Sequence, residues 1–505
     1  MQLKEISRAI GPLRVEGSLE REITGITCDS RQVMPGMVFV AVPGSHVDGH
    51  DFIPNAIDRG AAAVVCERNG FISPRATKLK VADVRQALAR AAAAYYGYPA
   101  RRLKVIGVTG TNGKTTVAFL VRHLLEATGT KTGLIGTIRY EIGDRVVPAQ
   151  RTTPEALDLQ RFMAHMVNAG CRACVMEVSS HALEQHRVGE IEFDVSVFTN
   201  LTQDHLDYHG DMETYFTAKQ KLFAPAAHGE KRGSQVINID DSYGARLWRE
   251  GQAEVRLSYG LNERASVRAT RIQLLRDRTR FRVETPRGDV ACVLPLIGRH
   301  NIYNALAAIG TALALEAPLE ALPAALAAMP PVPGRLESVA AGQPFGLYVD
   351  YAHTDDALQN VLTTLREMTR GRLLLVFGCG GNRDAGKRPK MGAVAARLAD
   401  YTVITSDNPR REDPATIARQ IEEGYRGVRC DGYAVQLDRR RAIADILAQA
   451  GPEDTVLIAG KGHETYQEFE STVVPFDDRV HAAEALENLG YGRRTRRSGA
   501  SAKPC

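Results

Sequence analysis

The sequence predicts an α/β protein of three domains, and three observations predict it. Strand-like runs alternate with helical patterns from 103 to about 328. The stretch M329-P-P-V-P-G334 then breaks the chain with three prolines and a glycine, and a second alternating series follows. A chain of 505 residues also exceeds what one hydrophobic core organises, so about two to four domains are expected.

Taken in order, residues 1–98 form the first domain, with strand runs at M37-V-F-V-A-V42 and A61-A-A-V-V-C66 and an Ala-rich helix over 84–94. Y95-Y-G-Y-P-A-R-R102 reads as a linker. The second domain, 99–334, opens on the apolar run L103-K-V-I-G-V108, and its alternation argues for a parallel sheet covered by helices. The third, 335–490, has strand runs at L373-L-L-V-F377, Y401-T-V-I-T405 and T455-V-L-I-A459. These end in the polar loops G378-C-G-G-N-R-D384, S406-D-N-P-R-R411 and G460-K-G-H-E464. Ligands of open parallel sheets bind beyond the carboxyl ends of the strands, so the three loops should line one crevice. Residues 491–505, basic and without apolar period, read as a disordered tail.

Composition narrows the function. With 44% hydrophobic and 24% charged residues the chain reads as an ordinary soluble globular protein, and a net charge of +5 is too small for a length-wide nucleic-acid footprint. The N-terminus M1-Q-L-K-E-I-S-R-A-I-G-P12 has no apolar core of signal-peptide length, and no run approaches the roughly 20 apolar residues of a membrane span. A cytosolic protein is predicted, in which the eight scattered cysteines are buried thiols rather than bridges. Cys171 and Cys174 have redox or zinc spacing, but no second pair exists and Cys174 leads into the apolar run V175-M-E-V178, which favours a structural role.

The chemistry begins at G110-T-N-G-K-T-T116, between a strand run and the helically spaced Val117, Leu120, Val121, Leu124 and Leu125. Strand, glycine loop and helix together aim backbone N–H groups and a helix N-terminus at an anion. Lys114 would reach the terminal phosphates of a nucleotide and the Thr115 hydroxyl would hold Mg²⁺. The usual motif has a glycine where this chain has Val108, so the loop is a shortened variant. Glu177 ends a strand run, and T199-N-L-T-Q-D-H-L-D-Y-H-G210 follows another; a carboxylate and His205 at neighbouring strand ends could hold a divalent ion, although imidazole is an unusual ligand for magnesium. His205 and His209 also have helical zinc spacing, without a third ligand in a loop-like segment. In Y215-F-T-A-K-Q-K-L-F223, helical spacing puts Lys219 on the apolar side with Tyr215 and Leu222. Snorkelling is the ordinary account of such a lysine; a sharper one is a neutral amine that takes up CO₂ and becomes an anionic carbamate.

Together G110-T-N-G-K-T-T116, M176-E-V-S-S-H181, F198-T-N-L-T-Q-D-H-L-D-Y-H-G210, A218-K219, G298-R-H-N-I-Y-N304, G334-R-L-E337, V349-D-Y-A-H353 and D407-N-P-R410 resemble the Mur ligase family, over about 27 to 464. The resemblance implies an N-terminal uridine-nucleotide-binding domain, a central P-loop ATPase domain and a C-terminal Rossmann-like domain for the incoming amino acid. It implies an ATP- and Mg²⁺-dependent ligase, a monomer, in which the D-Glu side-chain carboxylate of UDP-N-acetylmuramoyl-L-alanyl-D-glutamate takes the γ-phosphate and the amine of meso-2,6-diaminopimelate displaces it. One metal then falls to Thr115 and Glu177, a second to Glu177, His205 and carbamylated Lys219. By the same resemblance ATP is bound by Gly110, Thr111, Asn112, Gly113, Lys114, Thr115 and Thr116, with Asn301 facing adenine, Arg335 the phosphates and Asp350 the ribose. Thr152, Thr153, Ser179, Gln185 and Arg187 match contacts to the muramoyl-dipeptide, and Ser30, Ser45, His46 and Val47 contacts to the uridine nucleotide; taken singly, Ser30 and Thr152 could equally cap turns. One departure is Asp355, where the family carries proline, which should loosen the loop holding His353.

The amino acid is read from D407-N-P-R410. Diaminopimelate differs from lysine by a carboxylate at its far end, so a discriminating pocket must supply a cation there. Arg410, behind Pro409, can aim a planar guanidinium at it; Asn408 adds an amide donor, Arg383 a second guanidinium and Glu464 an anion for the far ammonium, jobs the resemblance gives to the same residues with Asp407 and Gly460. The alternatives are an L-lysine-adding ligase, a folylpolyglutamate synthetase, against which residues 1–98 argue, and, from other classes, a non-catalytic P-loop regulator, an NAD-dependent oxidoreductase suggested by G378-C-G-G-N-R383 and a zinc hydrolase suggested by His463 and Glu464.

Overall fold

The structure is a computed structural model that describes residues 1–44, 47–69, 73–224, 231, 233–251, 253–275 and 277–492. The tail from 493 and the pair Ser45 and His46 lie outside the described residues. Contacts divide the chain into two compact units. One holds Met1–Ile272, Phe281–Val293 and His300–Met329; the other runs from Pro330 onward and includes Gln273–Arg280 and Leu294–Arg299.

In the first unit, residues 1–98 build their own five-stranded sheet, in the order Arg14–Glu16, Thr77–Lys80, Ala63–Cys66, Met37–Val40 and Gly25–Thr27. Only the edge strand Arg14–Glu16 pairs antiparallel. Ile6 and Ile10 of helix Leu3–Ile10 and Leu88 of helix Val84–Tyr95 pack with Val38, Val65 and Leu79 in one core. Asp83 caps the second helix by accepting the N–H groups of Arg85 and Gln86. The segment expected as a linker is folded: Pro99–Arg102 forms a 3-10 turn, and Ala100 and Leu103 join the core of the next sheet.

That sheet has eleven strands, and the strand Lys104–Thr109 lies in its middle, between Val195–Phe198 and Ala173–Glu177 and parallel to both. Parallel pairing extends outward to Ser234–Asn238 and Arg256–Gly260 on one side and Thr132–Ile135 on the other. The latter edge then turns antiparallel through Arg139–Ile142 and Arg145–Pro148. The expected parallel core is therefore present but carries added edge strands, including Val267–Leu274, Thr279–Thr285 and Gly288–Leu294. Cys171 and Cys174 are buried free thiols in this core.

The second unit holds a six-stranded sheet in the order Glu337–Ser338, Gly346–Asp350, Thr455–Ala459, Leu373–Phe377, Tyr401–Ile404 and Tyr433–Val435, parallel apart from the first pair. The three strands read from the sequence are neighbours here. Helices Lys387–Leu398 and Pro414–Arg426 cross so closely that a Cβ on Gly392 would collide with the Ile421 carbonyl and one on Gly424 with that of Pro389. Asp355 opens helix Asp355–Met368, Thr354 accepts the Ala357 N–H as its cap, and an acidic first-turn residue suits the helix dipole as well as a proline suits the first turn. His353 is tied back through Nδ1 to the Tyr351 carbonyl at 2.8 Å. Among the described residues no helix is long and apolar enough to cross a membrane.

Candidate active site

The glycine loop joins the central strand to helix Lys114–Ala127. Gly110 has φ +146°, and a Cβ there would strike Thr199 Oγ1, so only glycine lets the neighbouring strand-end loop press against it. That neighbour clamps the loop: Thr199 Oγ1 donates to the Asn112 carbonyl (2.7 Å), the Asn112 N–H donates to Asn200 Oδ1 (3.0 Å), and the Thr111 N–H donates to the Asn200 carbonyl (2.9 Å). Gly113 caps the helix, with Thr115 and Thr116 buried in its first turn. Asn304, beside Asn301 on helix Arg299–Ala314, lies against Gly113 and donates to Asn301 Oδ1 at 2.9 Å.

Two lysines meet at this loop. Lys114 Nζ donates to the carbonyls of Gly110 (2.9 Å) and Thr111 (2.8 Å), and Lys219 Nζ donates to the same Gly110 carbonyl at 2.9 Å. Lys219 is buried on helix Met212–Gln220 as its spacing predicts, with its ammonium 4.5 Å above the Tyr215 ring. Burial, with Lys114 beside it, drives its pKa well below the usual lysine value. A snorkelling lysine would reach water; this one does not.

Glu177 is the hub of the other side. Its Oε2 accepts from Thr115 Oγ1 (3.0 Å) and Thr137 Oγ1 (2.9 Å), and its Oε1 accepts the Thr137 N–H (2.8 Å). Thr137 was not legible as a site residue, because nothing in G136-T137 marks it until the strands lie side by side. His205 has φ 54° and precedes the short helix Leu206–His209, where the sequence suggested only a loop. Its ring stands edge-on to that of His181 at 5.0 Å, while His209 is bound to Ser180 Oγ through Nε2 at 2.9 Å. Among the described residues no group of three or more His, Cys, Asp or Glu gathers as a metal cluster.

The residues assigned to the muramoyl-dipeptide also converge here. Thr153 Oγ1 donates to the Glu177 carbonyl (2.9 Å) and accepts the Ser179 N–H (3.0 Å), while Thr152 meets Thr137 at 3.1 Å. Arg187 is buried, bound to the Thr153 carbonyl (2.8 Å) and to Gln185 Oε1 (2.7 Å), and paired with Glu155 at 3.2 Å. Ser179 caps helix Ser180–Glu184. Ser30 opens a 3-10 turn that Asp29 caps, and Val47 is exposed.

In the second unit the three loops do come together. The Gly381 N–H donates to the Asn408 carbonyl (2.9 Å), Arg411 N–H to Asn382 Oδ1 (3.0 Å), and Lys461 Nζ to Asn408 Oδ1 (3.0 Å). A Cβ on Gly460 would lie 2.6 Å from Asp407 Oδ2. Arg410 is held by Glu468 Oε2 through Nε (2.8 Å) and by the Gly381 carbonyl through Nη1 (2.9 Å), behind Pro409; Arg383 is exposed on its loop. The amide of Asn408, expected to face a ligand carboxylate, instead donates to Glu464 Oε2 at 2.9 Å. Arg439, without exposed surface, donates to Asp478 (2.7 and 2.8 Å) and to the carbonyls of Ser406 (3.3 Å), the first residue of one loop, and Ala459 (2.9 Å), just ahead of another. At the same carboxyl end of this sheet, where Asp350 stands opposite Ala459, Asp350 is buried and accepts the N–H groups of Leu336 (2.7 Å) and Ala352 (2.8 Å), while Arg335 lies over the Tyr351 ring at 5.0 Å. Lys461, Glu468 and Arg439 carry no motif that singles them out; their roles are tertiary.

Residues 108–312 match the Mur ligase middle domain, 334–462 the Mur ligase glutamate ligase domain and 22–96 the Mur ligase family catalytic domain. A UDP-N-acetylmuramoyl-L-alanyl-D-glutamate--2,6-diaminopimelate ligase of Geobacter metallireducens is 46% identical over 97% of this chain and 99% of its own. The chain belongs to the Mur ligase family. A Syntrophomonas wolfei protein of the same description is 45% identical over 96% of this chain and 99% of its own. A solved structure under that description superposes with a TM-score of 0.69 at 32% identity, covering 97% of this chain and 99% of that one. A folylpolyglutamate synthase of Mycobacterium tuberculosis covers 81% of this chain and 96% of its own with a TM-score of 0.62, and at 20% identity it shares the fold alone.

Mur ligases use ATP and Mg²⁺. In this Mur ligase the pair Thr115 Oγ1 and Glu177 Oε2, buried and 3.0 Å apart at a helix N-terminus, offers the hard oxygen donors that suit magnesium. An ammonium at Lys219 does not fit a cation; a carbamate there would.

Proposed function

We propose that the chain adds meso-2,6-diaminopimelate to the D-Glu side-chain carboxylate of UDP-N-acetylmuramoyl-L-alanyl-D-glutamate, with ATP as phosphoryl donor, in the synthesis of peptidoglycan precursors. The observation that carries the amino-acid choice is the half-buried Arg410, pre-aimed by Glu468 and Gly381 at the carboxyl ends of the strands, where a far carboxylate needs a planar cation. Near-half identity over almost the whole length to ligases described by that reaction supports it. The domains fall at 1–98, 99–334 and 335–490, and the enzyme works as a monomer in the cytosol, where nucleotide-linked substrates are made.

The substrate carboxylate and the γ-phosphate repel one another, and the protein's task is to hold two anions together. Lys114, freed from its own loop's carbonyls, is the cation for the transferring phosphoryl group, and the loop N–H groups of 110–116 hold the phosphates. Arg187, Thr152, Thr153, Ser179 and Gln185 orient the dipeptide beside Glu177. Magnesium, held by Thr115 and Glu177, supplies charge neutralisation on the phosphates. Burial and the Lys114 ammonium on the same Gly110 carbonyl both lower the Lys219 pKa, which favours its neutral amine. Its lone pair would then attack the carbon of CO₂ with loss of one proton to water, and the resulting carbamate would, with Glu177 and His205, supply the ligands of a second magnesium. The acyl phosphate formed is then attacked by the amine of diaminopimelate, expelling phosphate. The test is phosphate release with UDP-muramoyl-dipeptide and a panel of amino acids: release that needs both substrates and prefers diaminopimelate is expected, and equal release with L-lysine, or none with diaminopimelate, overturns the reading.

A further inference from the structure

Lys461 has no solvent-exposed surface (0%). A buried ammonium is costly unless its protons find acceptors and its charge a partner. Its Nζ donates to Glu464 Oε2 at 3.0 Å and to Asn408 Oδ1 at 3.0 Å, and lies 5.5 Å from the centre of the Tyr466 ring. The Asn408 amide closes a triangle by donating to the same Glu464 Oε2 at 2.9 Å, and Asn408 Oδ1 also accepts the Glu468 N–H at 3.1 Å. One oxygen of Glu464, Oε2, thus takes both internal donors. Glu468 continues the chain of contacts to Arg410.

We infer that Lys461 is a positioning residue for amino-acid recognition: its ammonium pins Oε2 of Glu464 and the side chain of Asn408, keeping Glu464 an anion that presents Oε1 to the ammonium at the far end of the incoming amino acid. This rests on the functional reading above and deepens it. Without the lysine, two things change together. Glu464 loses its anchor and Asn408 its acceptor role, so the distance between the anion at 464 and the cation at 410 is no longer fixed. Glu464 also loses its counter-charge. Its carboxyl is already raised above the usual range by burial and by Asp407, against the pull of Lys461 and Asn408. The other charged or titratable groups around it are Tyr351 and Tyr466, which carry no charge at neutral pH, and Arg439. Removing Lys461 therefore pushes the Glu464 carboxyl further up, and contact with the far ammonium is recovered only at higher pH.

The experiment compares the unmutated enzyme with Lys461→Met and Lys461→Gln in steady-state kinetics across pH, each variant checked for fold by circular dichroism. The expected result is a KM for diaminopimelate raised about ten- to a hundredfold, kcat reduced much less, and KM for ATP and the UDP-substrate unmoved. The acid limb of kcat/KM for diaminopimelate shifts to higher pH in both variants, a change that a merely structural lysine would not produce. Folded variants with an unmoved KM for diaminopimelate, or an unmoved acid limb, overturn the inference while leaving the functional reading intact. Loss of fold in both variants also overturns it, because the lysine's role is then structural. An unmutated enzyme that does not add diaminopimelate overturns the functional reading and this inference with it.

Discussion

Asp478→Asn removes the charge from one half of an ion pair that has no exposed side-chain surface on either partner. Asp478 meets Arg439 through two bonds, Nε to Oδ1 at 2.7 Å and Nη2 to Oδ2 at 2.8 Å, a bidentate arrangement in which little of the attraction is screened. The neutral amide leaves a buried guanidinium uncompensated, which costs about 3–5 kcal/mol. For a unit of this size that lowers its melting temperature by about 6–20 °C. Arg439 also holds the carbonyls of Ser406 and Ala459, so the loss should raise KM for the amino acid more than KM for the UDP-substrate. Calorimetry and kinetics on the variant read both effects. The double variant Arg439→Met with Asp478→Leu, which fills the space without charge, should be more stable than either single change. Strict additivity in that cycle, or a melting shift below about 2 °C for Asp478→Asn, would refute the reasoning.

Three further outcomes are expected. Lys219→Ala should lose activity by about a thousandfold and regain part of it with short carboxylic acids, which occupy the carbamate's place; activity indifferent to the substitution, or an unmodified amine by mass in active, CO₂-equilibrated enzyme, counts against it. Arg410→Ala should weaken diaminopimelate addition about a hundredfold with KM for ATP unmoved, and a matching loss in ATP binding would show the arginine acting elsewhere. Burial pushes His181, His300 and His463 down from 6.5 to about 4, about 4 and about 3, so the fold resists their protonation: the stability they contribute is full above pH 6.5 and is lost as pH falls toward 4. Melting temperatures taken between about pH 7.5 and about pH 5 should fall steadily, less steeply in His300→Gln, and a flat profile would contradict this.

Much of this was legible from the chain. Leu373–Phe377 and Thr455–Ala459 match their apolar runs to the residue, because a strand buried on both faces is uniformly apolar. The phosphate loop was legible because strand, glycine and helix stand in sequence. The edge strands Arg139–Ile142 and Arg145–Pro148 were not, since a half-exposed hairpin has no strong period, and neither was the folded turn Pro99–Arg102, whose proline and arginines look like a connector. At the site, position marked Glu177 as a strand end and periodicity put Lys219 on an apolar face, where the structure has them, while the roles proposed for both come from the family resemblance. Thr137, Lys461, Glu468 and Arg439 were not marked, because each acts through a partner between 39 and 58 residues away, and no local pattern encodes such a contact.

The contact of Gly392 with Ile421 and of Gly424 with Pro389 ties together the two helices that carry the chain away from 378–386 and 405–413. Neither helix can be shifted without opening a seam that admits no methyl group, so the two loops ahead of them travel as one part. On the reading proposed above, altering which amino acid this enzyme accepts calls for exchanging residues 378–426 as a single cassette, seam included. Grafting one loop alone would set foreign loop lengths against a fixed spacing, and would lose the geometry in the loop left behind.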